Sequence, residues 1–326
     1  MNDQLNNLFI HGANLKFNIL ITGGAGYIGS TLVPDLLTAG HEVTVIDNFM
    51  FKQASLNHVC HHPSFKVIKG DIRVESTIAP LIAKADVVIP LAALVGAPLC
   101  NIDPVGATTI NHDAISLMLS LLSREQILLM PTTNSAYGTG DDNNLCTEES
   151  PLRPISQYAI EKVAVEKELM QHENAISFRL ATVFGMSPRM RTDLLVNDFT
   201  YRAVYDRFVV LFESQFKRNY IHVRDVSRVF QHALDNYEIM KGNIFNVGLS
   251  DANVSKKELC ERIHMQIPEF VFIDAPVGKD PDQRNYIVSN EKIEATGFKP
   301  QVKLDAGIAE LIKGYTMIRN NLYGNV

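Results

Sequence analysis

Short apolar runs alternate with amphipathic segments over the first half of this 326-residue chain. The apolar runs are rich in β-branched residues and predict buried strands at 17–21, 42–46, 65–69, 86–90, 127–130 and 175–180. Apolar residues at three- and four-residue intervals predict helices at 27–39, 77–83, 104–122 and 158–171. Strands and helices that alternate in this way predict a doubly wound α/β fold around a parallel sheet.

The alternation weakens after about Thr182, and prolines then punctuate a more irregular region. We therefore expect a smaller C-terminal lobe after the α/β domain. The predicted divisions are an N-terminal extension at 1–16, the α/β domain at 17–182 together with 223–250, and the lobe at 183–222 and 251–326.

A glycine-rich segment joins the first predicted strand to the first predicted helix. It fits two spacings, Gly24-x-Gly26-x-x-Gly29 and Gly23-x-x-Gly26-x-x-Gly29. Glycines at this place let the backbone turn tightly and approach a pyrophosphate, whose charge is met by free amides and the helix dipole. The segment therefore indicates a dinucleotide-binding Rossmann fold, although either spacing also occurs in ordinary turns.

Asp47 ends the second predicted strand, near the position where an acidic side chain binds the adenine ribose hydroxyls of a dinucleotide. A carboxylate there repels a 2′-phosphate, and residues 47–50 supply no arginine to receive one. The predicted cofactor is therefore NAD rather than NADP.

The composition excludes several classes of protein. A hydrophobic fraction of 46% suits a large core, and a formal charge of −6 without a dense basic patch argues against a nucleic-acid surface. Small basic groups at Arg189, Arg191, Lys217 and Arg218 suit a small anionic ligand better. Residues 1–16 lack the features of a secretory signal, and no run approaches the ~20 apolar residues of a membrane span. We expect a cytoplasmic protein with no membrane partner.

Four cysteines, at positions 60, 100, 146 and 260, lack the paired spacing of a disulfide framework or a zinc ribbon. The histidine-rich segment 58–62 falls in a polar loop with no companion acidic or thiol site. We expect reduced thiols and no metal site.

Tyr158 and Lys162 lie one turn apart on a predicted helix, so their side chains project from one face. A phenol is a poor base near neutral pH, but a neighbouring ammonium and a cationic nicotinamide stabilise the phenolate and lower its pKa. Thr133 follows the 127–130 strand, at the sheet edge where α/β folds place their ligands. Tyr158 is the candidate base and Thr133 the candidate hydroxyl.

These motifs together resemble the extended short-chain dehydrogenase/reductase family, specifically its nucleotide-sugar epimerases and dehydratases, from Phe17 onward. The resemblance implies a catalytic triad of Thr133, Tyr158 and Lys162 and a homodimer packed through helices near 111–122 and 158–171. It implies cofactor contacts at Gly23, Gly26, Tyr27, Ile28, Gly29, Asp47, Asn48, Asp71, Ile72, Leu91, Ala92, Ala93, Asn111, Tyr158 and Lys162.

The same resemblance assigns substrate contacts to Thr133, Thr182, Arg218 and Arg284. Arg218 begins a stretch similar to the family's Arg-x-Tyr-Ile-His-Val-x-Asp segment, whose first arginine contacts the substrate pyrophosphate. Arg284 matches a second arginine for phosphate or ribose. Forked, permanently charged guanidinium groups suit such an anion.

Departures from the family pattern narrow the expected reaction. A 4,6-dehydratase carries acidic residues where this chain has Asn134 and Ser135, and the familiar 4-epimerases carry an asparagine at Thr182. Residues 133–135 and 98–100 look more like a branch that includes GDP-heptose 4-dehydrogenases of bacterial surface-polysaccharide pathways. We therefore expect oxidation at C4 of a nucleotide-diphosphate sugar. A 4-epimerase and a non-catalytic dinucleotide-binding sensor remain the alternatives.

Overall fold

The computed structural model describes residues 15–52, 54–138, 145–275 and 285–318. Its strands are β1 (Asn18–Thr22), β2 (Glu42–Asp47), β3 (Phe65–Lys69), β4 (Val87–Pro90), β5 (Ile127–Thr133), β6 (Leu145–Cys146), β7 (Ala175–Leu180), β8 (Thr182–Phe184), β9 (Phe208–Leu211), β10 (Lys217–His222), β11 (Ile244–Val247), β12 (Asn253–Ser255), β13 (Val271–Asp274) and β14 (Ile287–Val288).

The α-helices of these residues are α1 (Gly29–Thr38), α2 (Glu75–Ile82), α3 (Ala97–Ile102), α4 (Pro104–Thr108), α5 (Ala114–Leu121), α6 (Gln157–Leu169), α7 (Leu195–Tyr205), α8 (Val223–Asp235), α9 (Tyr237–Met240), α10 (Lys256–Gln266), α11 (Glu291–Glu294) and α12 (Leu304–Tyr315). A π-helical turn, Thr109–Asp113, joins α4 to α5. Short 3₁₀ turns occur at Asn57–Val59 and Asn134–Tyr137. No helix of the described residues combines the length and apolar character needed to span a bilayer.

The central sheet is wholly parallel and has the strand order β3-β2-β1-β4-β5-β7-β11. The strands are added in one direction from β1 to β3 and in the other from β4 onward. The order therefore reverses between β1 and β4, and ligands of such sheets bind outside the carboxyl ends of the strands at that point. This is the predicted doubly wound α/β fold.

Alternate side chains of β1 supply the cores on the two faces of the sheet. Ile19 and Ile21 join the core that includes α1 and α8, whereas Leu20 joins the core that includes α2, α5 and α6. Because helices cover both faces of the sheet at β1, its residues 19–21 are apolar on both sides and form a continuous hydrophobic run.

Another hydrophobic core gathers residues of α7, α10 and α12 with those of the short strands β9 and β10. Tyr27, beside α1, belongs to it as well. The Tyr27 hydroxyl donates to the Gly185 carbonyl at 2.7 Å, so this core is joined to the turn after β1.

Several predicted boundaries move in the structure. The helix predicted at 27–39 begins at Gly29, because residues 23–28 form a turn in which the Gly26 amide donates to the Gly23 carbonyl. The helix predicted at 104–122 is interrupted by the π-helical turn. Strand β5 extends to Thr133, and the structure contains β11, which the apolar runs do not predict.

Candidate active site

The glycine turn after β1 forms the floor of a cleft at the reversal point of the sheet. A Cβ added at Gly26 would meet only the Gly23 carbonyl oxygen, at 3.0 Å, so this position is otherwise open. A Cβ at Gly24 would lie 2.7 Å from Val45, and one at Gly29 would collide with the Gly24 backbone. Gly23 has φ +67°. Gly23, Gly26 and Gly29 border the cleft, so the geometry favours Gly23-x-x-Gly26-x-x-Gly29.

The cleft has two compartments. The first, of about 100 Å³, is bordered by Asp47, Asn48, Asp71, Ile72 and Ala92 among others. The second, of about 260 Å³, is bordered by Tyr27, Ile28, Gly29, Thr133, Tyr158, Lys162 and Thr182 among others. The residues that border both compartments are Gly23, Gly26, Phe51, Leu91, Ala93 and Arg189. The two compartments therefore form one elongated cleft that crosses the glycine turn.

Asp47 lies at the end of β2 in the first compartment. Its carboxylate accepts hydrogen bonds from the Phe49 amide at 2.8 Å and the Ala25 amide at 3.0 Å. Burial raises the pKa of Asp47, and the bonds from these amides act in the opposite direction. The two bonds orient the carboxylate at the rim, where ribose hydroxyls of a dinucleotide would lie.

Asp71 borders the same compartment but is already paired. The Arg73 guanidinium donates to both of its carboxylate oxygens, with Nη2 at 2.6 Å from Oδ2 and Nε at 3.0 Å from Oδ1. This partner holds the pKa of Asp71 below its usual range. Asp71 therefore offers a lining group whose position is set by Arg73.

Helix α6 carries Tyr158 and Lys162 into the second compartment. The Ser156 hydroxyl caps the helix by accepting from the Ala159 amide at 3.3 Å. Tyr158 is half-buried and packs against Leu94, Cys100 and Ala107. Lys162 is 4% exposed, and burial lowers its pKa to about 8, although Glu161 and Cys100 oppose that shift. A desolvated amine of this kind is suited to stabilising an adjacent anion.

Thr133 reaches the second compartment from the end of β5. Its hydroxyl donates to Ser135 Oγ at 2.9 Å and accepts from the Ser135 amide at 3.1 Å. The side chain therefore caps the 3₁₀ turn Asn134–Tyr137 while it borders the cleft. Thr133, Tyr158 and Lys162 thus line one compartment.

A buried ionic network lies behind these residues and connects α6 to β5 and β7. Glu166, one turn after Lys162, accepts from Thr132 Oγ1 at 3.0 Å and from Arg179 Nη2 at 2.6 Å. Arg179 also donates to the Tyr137 hydroxyl at 3.0 Å. Burial alone would lower the pKa of Arg179, but the hydrogen bonds and charge of Glu166 raise it overall. The network holds the Tyr158 helix beside the Thr133 strand.

Among the described residues, two predicted contacts, Asn111 and Arg218, do not border the cleft. Asn111 is 0% exposed. Its amide accepts from the Leu94 amide at 2.9 Å and donates to the Leu94 carbonyl at 3.0 Å, so it positions the backbone after β4. Arg218 is buried on β10 and borders neither compartment. Arg284 lies outside the described residues.

The structure adds residues to the cleft that were not among the predicted site residues, and these include Phe51, Ser156, Arg189, Arg191 and Tyr286. The two arginines had a signal in the sequence, because they form one of its small basic groups. Phe51 and Tyr286 had none, since single aromatic residues in loops carry no positional pattern.

Comparisons with known proteins extend over most of the chain. The model of the NAD dependent epimerase/dehydratase family matches residues 19–248. A UDP-N-acetyl-alpha-D-glucosaminuronate decarboxylase of Bacillus cytotoxicus is 27% identical, with 94% of this chain and 100% of the relative covered. The low-salt glycan biosynthesis protein Agl12 of Haloferax volcanii is 24% identical, with 91% and 98% covered.

A solved structure shares the fold. The UDP-glucuronic acid 4-epimerase from Bacillus cereus, in complex with UDP-glucuronic acid and NAD, superposes with a TM-score of 0.81 at 22% identity. The alignment covers 92% of this chain and 99% of that one. The open face of Gly26 and the oriented Asp47 carboxylate fit the diphosphate and ribose of NAD. The chain belongs to the NAD dependent epimerase/dehydratase family, and it is an enzyme whose cofactor is NAD.

Proposed function

We propose that the protein oxidises the C4 hydroxyl of a nucleotide-diphosphate sugar, with Tyr158 as the base. The observation that carries this proposal is the second compartment, in which Tyr158, Thr133 and the buried Lys162 ammonium line one space beside the glycine turn. A sugar hydroxyl placed in this space lies beside Tyr158, the base that takes its proton. NAD, when bound, supplies the hydride acceptor for this oxidation.

The three side chains have different roles. The Tyr158 phenolate removes the proton of the C4 hydroxyl, and Thr133 Oγ exchanges its bond to Ser135 for one to the same sugar oxygen. The Lys162 ammonium stabilises the phenolate, and its buried position strengthens that interaction because little water screens it. Lys162 must be protonated for this role, so the lowered pKa sets an upper limit near pH 8 in the cofactor-free protein.

The names of the relatives support oxidation at C4. A 4-epimerase inverts the configuration at C4, and oxidation to a 4-ketone followed by reduction from the other face achieves this. A uronic acid decarboxylase removes the C6 carboxylate, and a 4-ketone assists because it lies β to that carboxylate. The same first step would serve this chain. Asn134 and Ser135 provide no carboxylate after Thr133, which disfavours a subsequent dehydration.

We infer that the sugar nucleotide is GDP-heptose or a close analogue, used in bacterial surface-polysaccharide synthesis. This finer assignment rests on the resemblance of residues 133–135 and 98–100. The family resemblance, and not the lining of the cleft, is the ground for proposing that Arg218 and Arg284 hold the substrate diphosphate, with residues 183–222 and 251–326 forming the substrate side. Exchange of Arg218 for lysine should raise KM with little change in kcat, because it would weaken binding alone.

The decisive experiment incubates the protein and NAD with GDP-, UDP-, dTDP- and CDP-sugars, including heptoses and UDP-glucuronate. Nicotinamide absorbance and sugar mass are followed together. NADH that accumulates with loss of two hydrogens from one sugar supports the dehydrogenase. An isomer without net NADH supports the 4-epimerase, and loss of CO₂ identifies a decarboxylase. A protein that binds NADH yet leaves every sugar unchanged contradicts the proposed substrate class.

Tyr158→Phe separates chemistry from binding in the same assay. The variant lacks the phenolic oxygen, so turnover should fall while NADH binding and folding persist. Full turnover by Tyr158→Phe would exclude the phenolate as the base.

We also propose a homodimer packed through helices near 111–122 and 158–171. Ile160 on α6 is 46% exposed and offers an apolar contact for a partner copy. Sedimentation of the wild type and Ile160→Arg tests this, since a charge at a packed apolar contact should shift the protein toward the monomer.

A further inference from the structure

The junction between the two compartments is bordered by one charged residue among its six shared residues, Arg189. Gly23 and Gly26 come from the turn after β1, and Phe51 comes from the loop after β2. Arg189 comes from the segment between β8 and α7. Distant parts of the chain therefore meet where the cleft crosses the glycine turn.

A dinucleotide has a nucleoside at each end and a diphosphate between them. When the two ends occupy the two compartments, the diphosphate lies at the junction, beside the open face of Gly26. Arg189 is then the side chain whose positive charge faces the diphosphate. A guanidinium is suited to this contact because it presents several donors in one plane.

Arg189 is already held in place. Its guanidinium carbon lies 4.0 Å from the centroid of the Phe51 ring, a cation–π contact, and its amide donates to Ser30 Oγ at 3.2 Å. Ser187 Oγ donates to the Tyr27 carbonyl at 2.7 Å and bonds Ser30 Oγ at 2.8 Å. The segment that carries Arg189 is thus anchored on the first turn of α1, and its tip rests on the loop after β2.

The Arg189 guanidinium is buried, and its Nη1 donates to the Met190 carbonyl at 3.1 Å. Arg189 is 2% exposed, and burial together with the charge of Arg191 lowers its pKa to about 10. Asp193 and Asp47 act in the opposite direction. Asp193, however, is bonded by Arg191 Nη2 at 2.6 Å, and Asp47 accepts bonds from two backbone amides. A bound diphosphate would supply negative charge in a place from which water is largely excluded.

We propose that Arg189 and Phe51 form a clasp that closes over the diphosphate of NAD and sets the rate at which the cofactor leaves. The guanidinium contacts the diphosphate, and the Phe51 ring keeps the guanidinium over the cleft. Departure of the cofactor requires this stack to separate.

The test measures release of NADH without any sugar, so its result is independent of the proposed reaction. Protein loaded with NADH is mixed with excess NAD, and the decay of NADH fluorescence gives the dissociation rate. Phe51→Ala should release NADH about tenfold faster, because the stack is lost. Phe51→Tyr, which keeps a ring, should remain within about twofold of the wild type. Arg189→Lys, which keeps the positive charge but loses the planar guanidinium, should release NADH about tenfold faster.

Arg202→Lys is the matched control, since Arg202 is an exposed arginine of α7, is paired with Asp198 and borders neither compartment. Its NADH release should match the wild type. The double variant Phe51→Ala/Arg189→Lys should be little faster than either single variant, because both changes open one contact. Thermal unfolding identifies any variant that fails to fold, and the Phe51→Ala and Phe51→Tyr pair then decides alone.

The clasp is overturned by wild-type release from Phe51→Ala, or by equal acceleration in Arg202→Lys and Arg189→Lys. It is also overturned when the two single changes multiply in the double variant. The clasp is also overturned if Arg189→Lys binds NADPH more weakly but releases NADH at the wild-type rate. That result would place the guanidinium at the adenine ribose instead of the diphosphate.

Discussion

Two buried cations near the active site, Lys162 and Arg179, have opposite surroundings. Arg179 meets the Glu166 carboxylate at 2.6 Å and the Tyr137 hydroxyl at 3.0 Å, and its pKa is raised. Lys162, one turn before Glu166 on the same helix, borders the cleft and has its pKa lowered to about 8. The paired cation holds strands and helix together, whereas the desolvated cation is available to a reacting anion.

The difference follows from where each side chain points. Glu166 faces the sheet between β5 and β7, where Thr132 and Ser177 also bond its carboxylate. Lys162 faces the cleft instead, with Glu161 nearby but already accepting from Thr108, Gln157 and Asn111. A buried charge with a carboxylate partner serves stability, and its removal is costly. A buried charge at a cleft costs stability and serves function.

Lys162→Met should produce the largest effect on activity and leave the fold intact. The variant removes the charge that stabilises the Tyr158 phenolate, so kcat/KM should fall roughly 10³-fold. Steady-state kinetics with the active sugar nucleotide measures this. Lys167→Met, an exposed lysine of the same helix, is the control and should keep wild-type kinetics. A kcat/KM of Lys162→Met within tenfold of the wild-type value would show that the Lys162 charge is not needed for catalysis.

Arg179→Met should mainly affect stability and not catalysis, and the loss of stability should be large. It leaves the Glu166 carboxylate buried without its cation, which should lower the free energy of unfolding by about 3–5 kcal/mol. Urea denaturation measures the change. The control is Arg202→Met, which removes an exposed ion pair with Asp198 and should change stability by less than about 1 kcal/mol. Equal losses in the two variants would show that the buried pair has no special weight.

The pH dependence of stability tests the lowered pKa of Lys162. The pKa of Lys162 is about 8 in the folded chain and 10.5 in the reference state, so the folded state binds fewer protons between these values. The loss of stability caused by burying the Lys162 charge is fully present below pH 8 and disappears as the pH rises through 10.5. Cofactor-free wild type should therefore gain about 3 kcal/mol relative to Lys162→Met across this window. Parallel stability curves would contradict the lowered pKa.

Tyr137→Phe should give the smallest change. The hydroxyl accepts from Arg179 and donates to Asn246 Oδ1 at 2.7 Å, and burial raises the pKa of Tyr137 to about 12. Its removal leaves a buried amide oxygen with one partner fewer and should lower stability by about 1–2 kcal/mol. The loss should shrink in an Arg179→Met background, because the two groups share one network. Additive losses would place the hydroxyl outside it.

Local pattern was sufficient for much of the fold. Strands β3 and β7 have the bounds that the apolar runs predict. β7 is buried along its whole length, whereas β3 is an edge strand with exposed and half-buried side chains. The π-helical turn at Thr109–Asp113 left no such signal, since the same apolar spacing fits an uninterrupted helix. Strand β11 is only four residues long and lies at the sheet edge, so its period was too short to recognise.

The sequence by itself determined the glycine turn, the acidic end of β2 and the Tyr158 and Lys162 pair, because each depends on residues close together in the chain. Only the tertiary structure decided which glycines face the cleft, that Asn111 turns to the backbone of Leu94, and that Arg189 stacks on Phe51. Those facts depend on which distant segments pack against one another. Spacing along the chain carries no information about that packing, whereas burial and charge in the folded protein do.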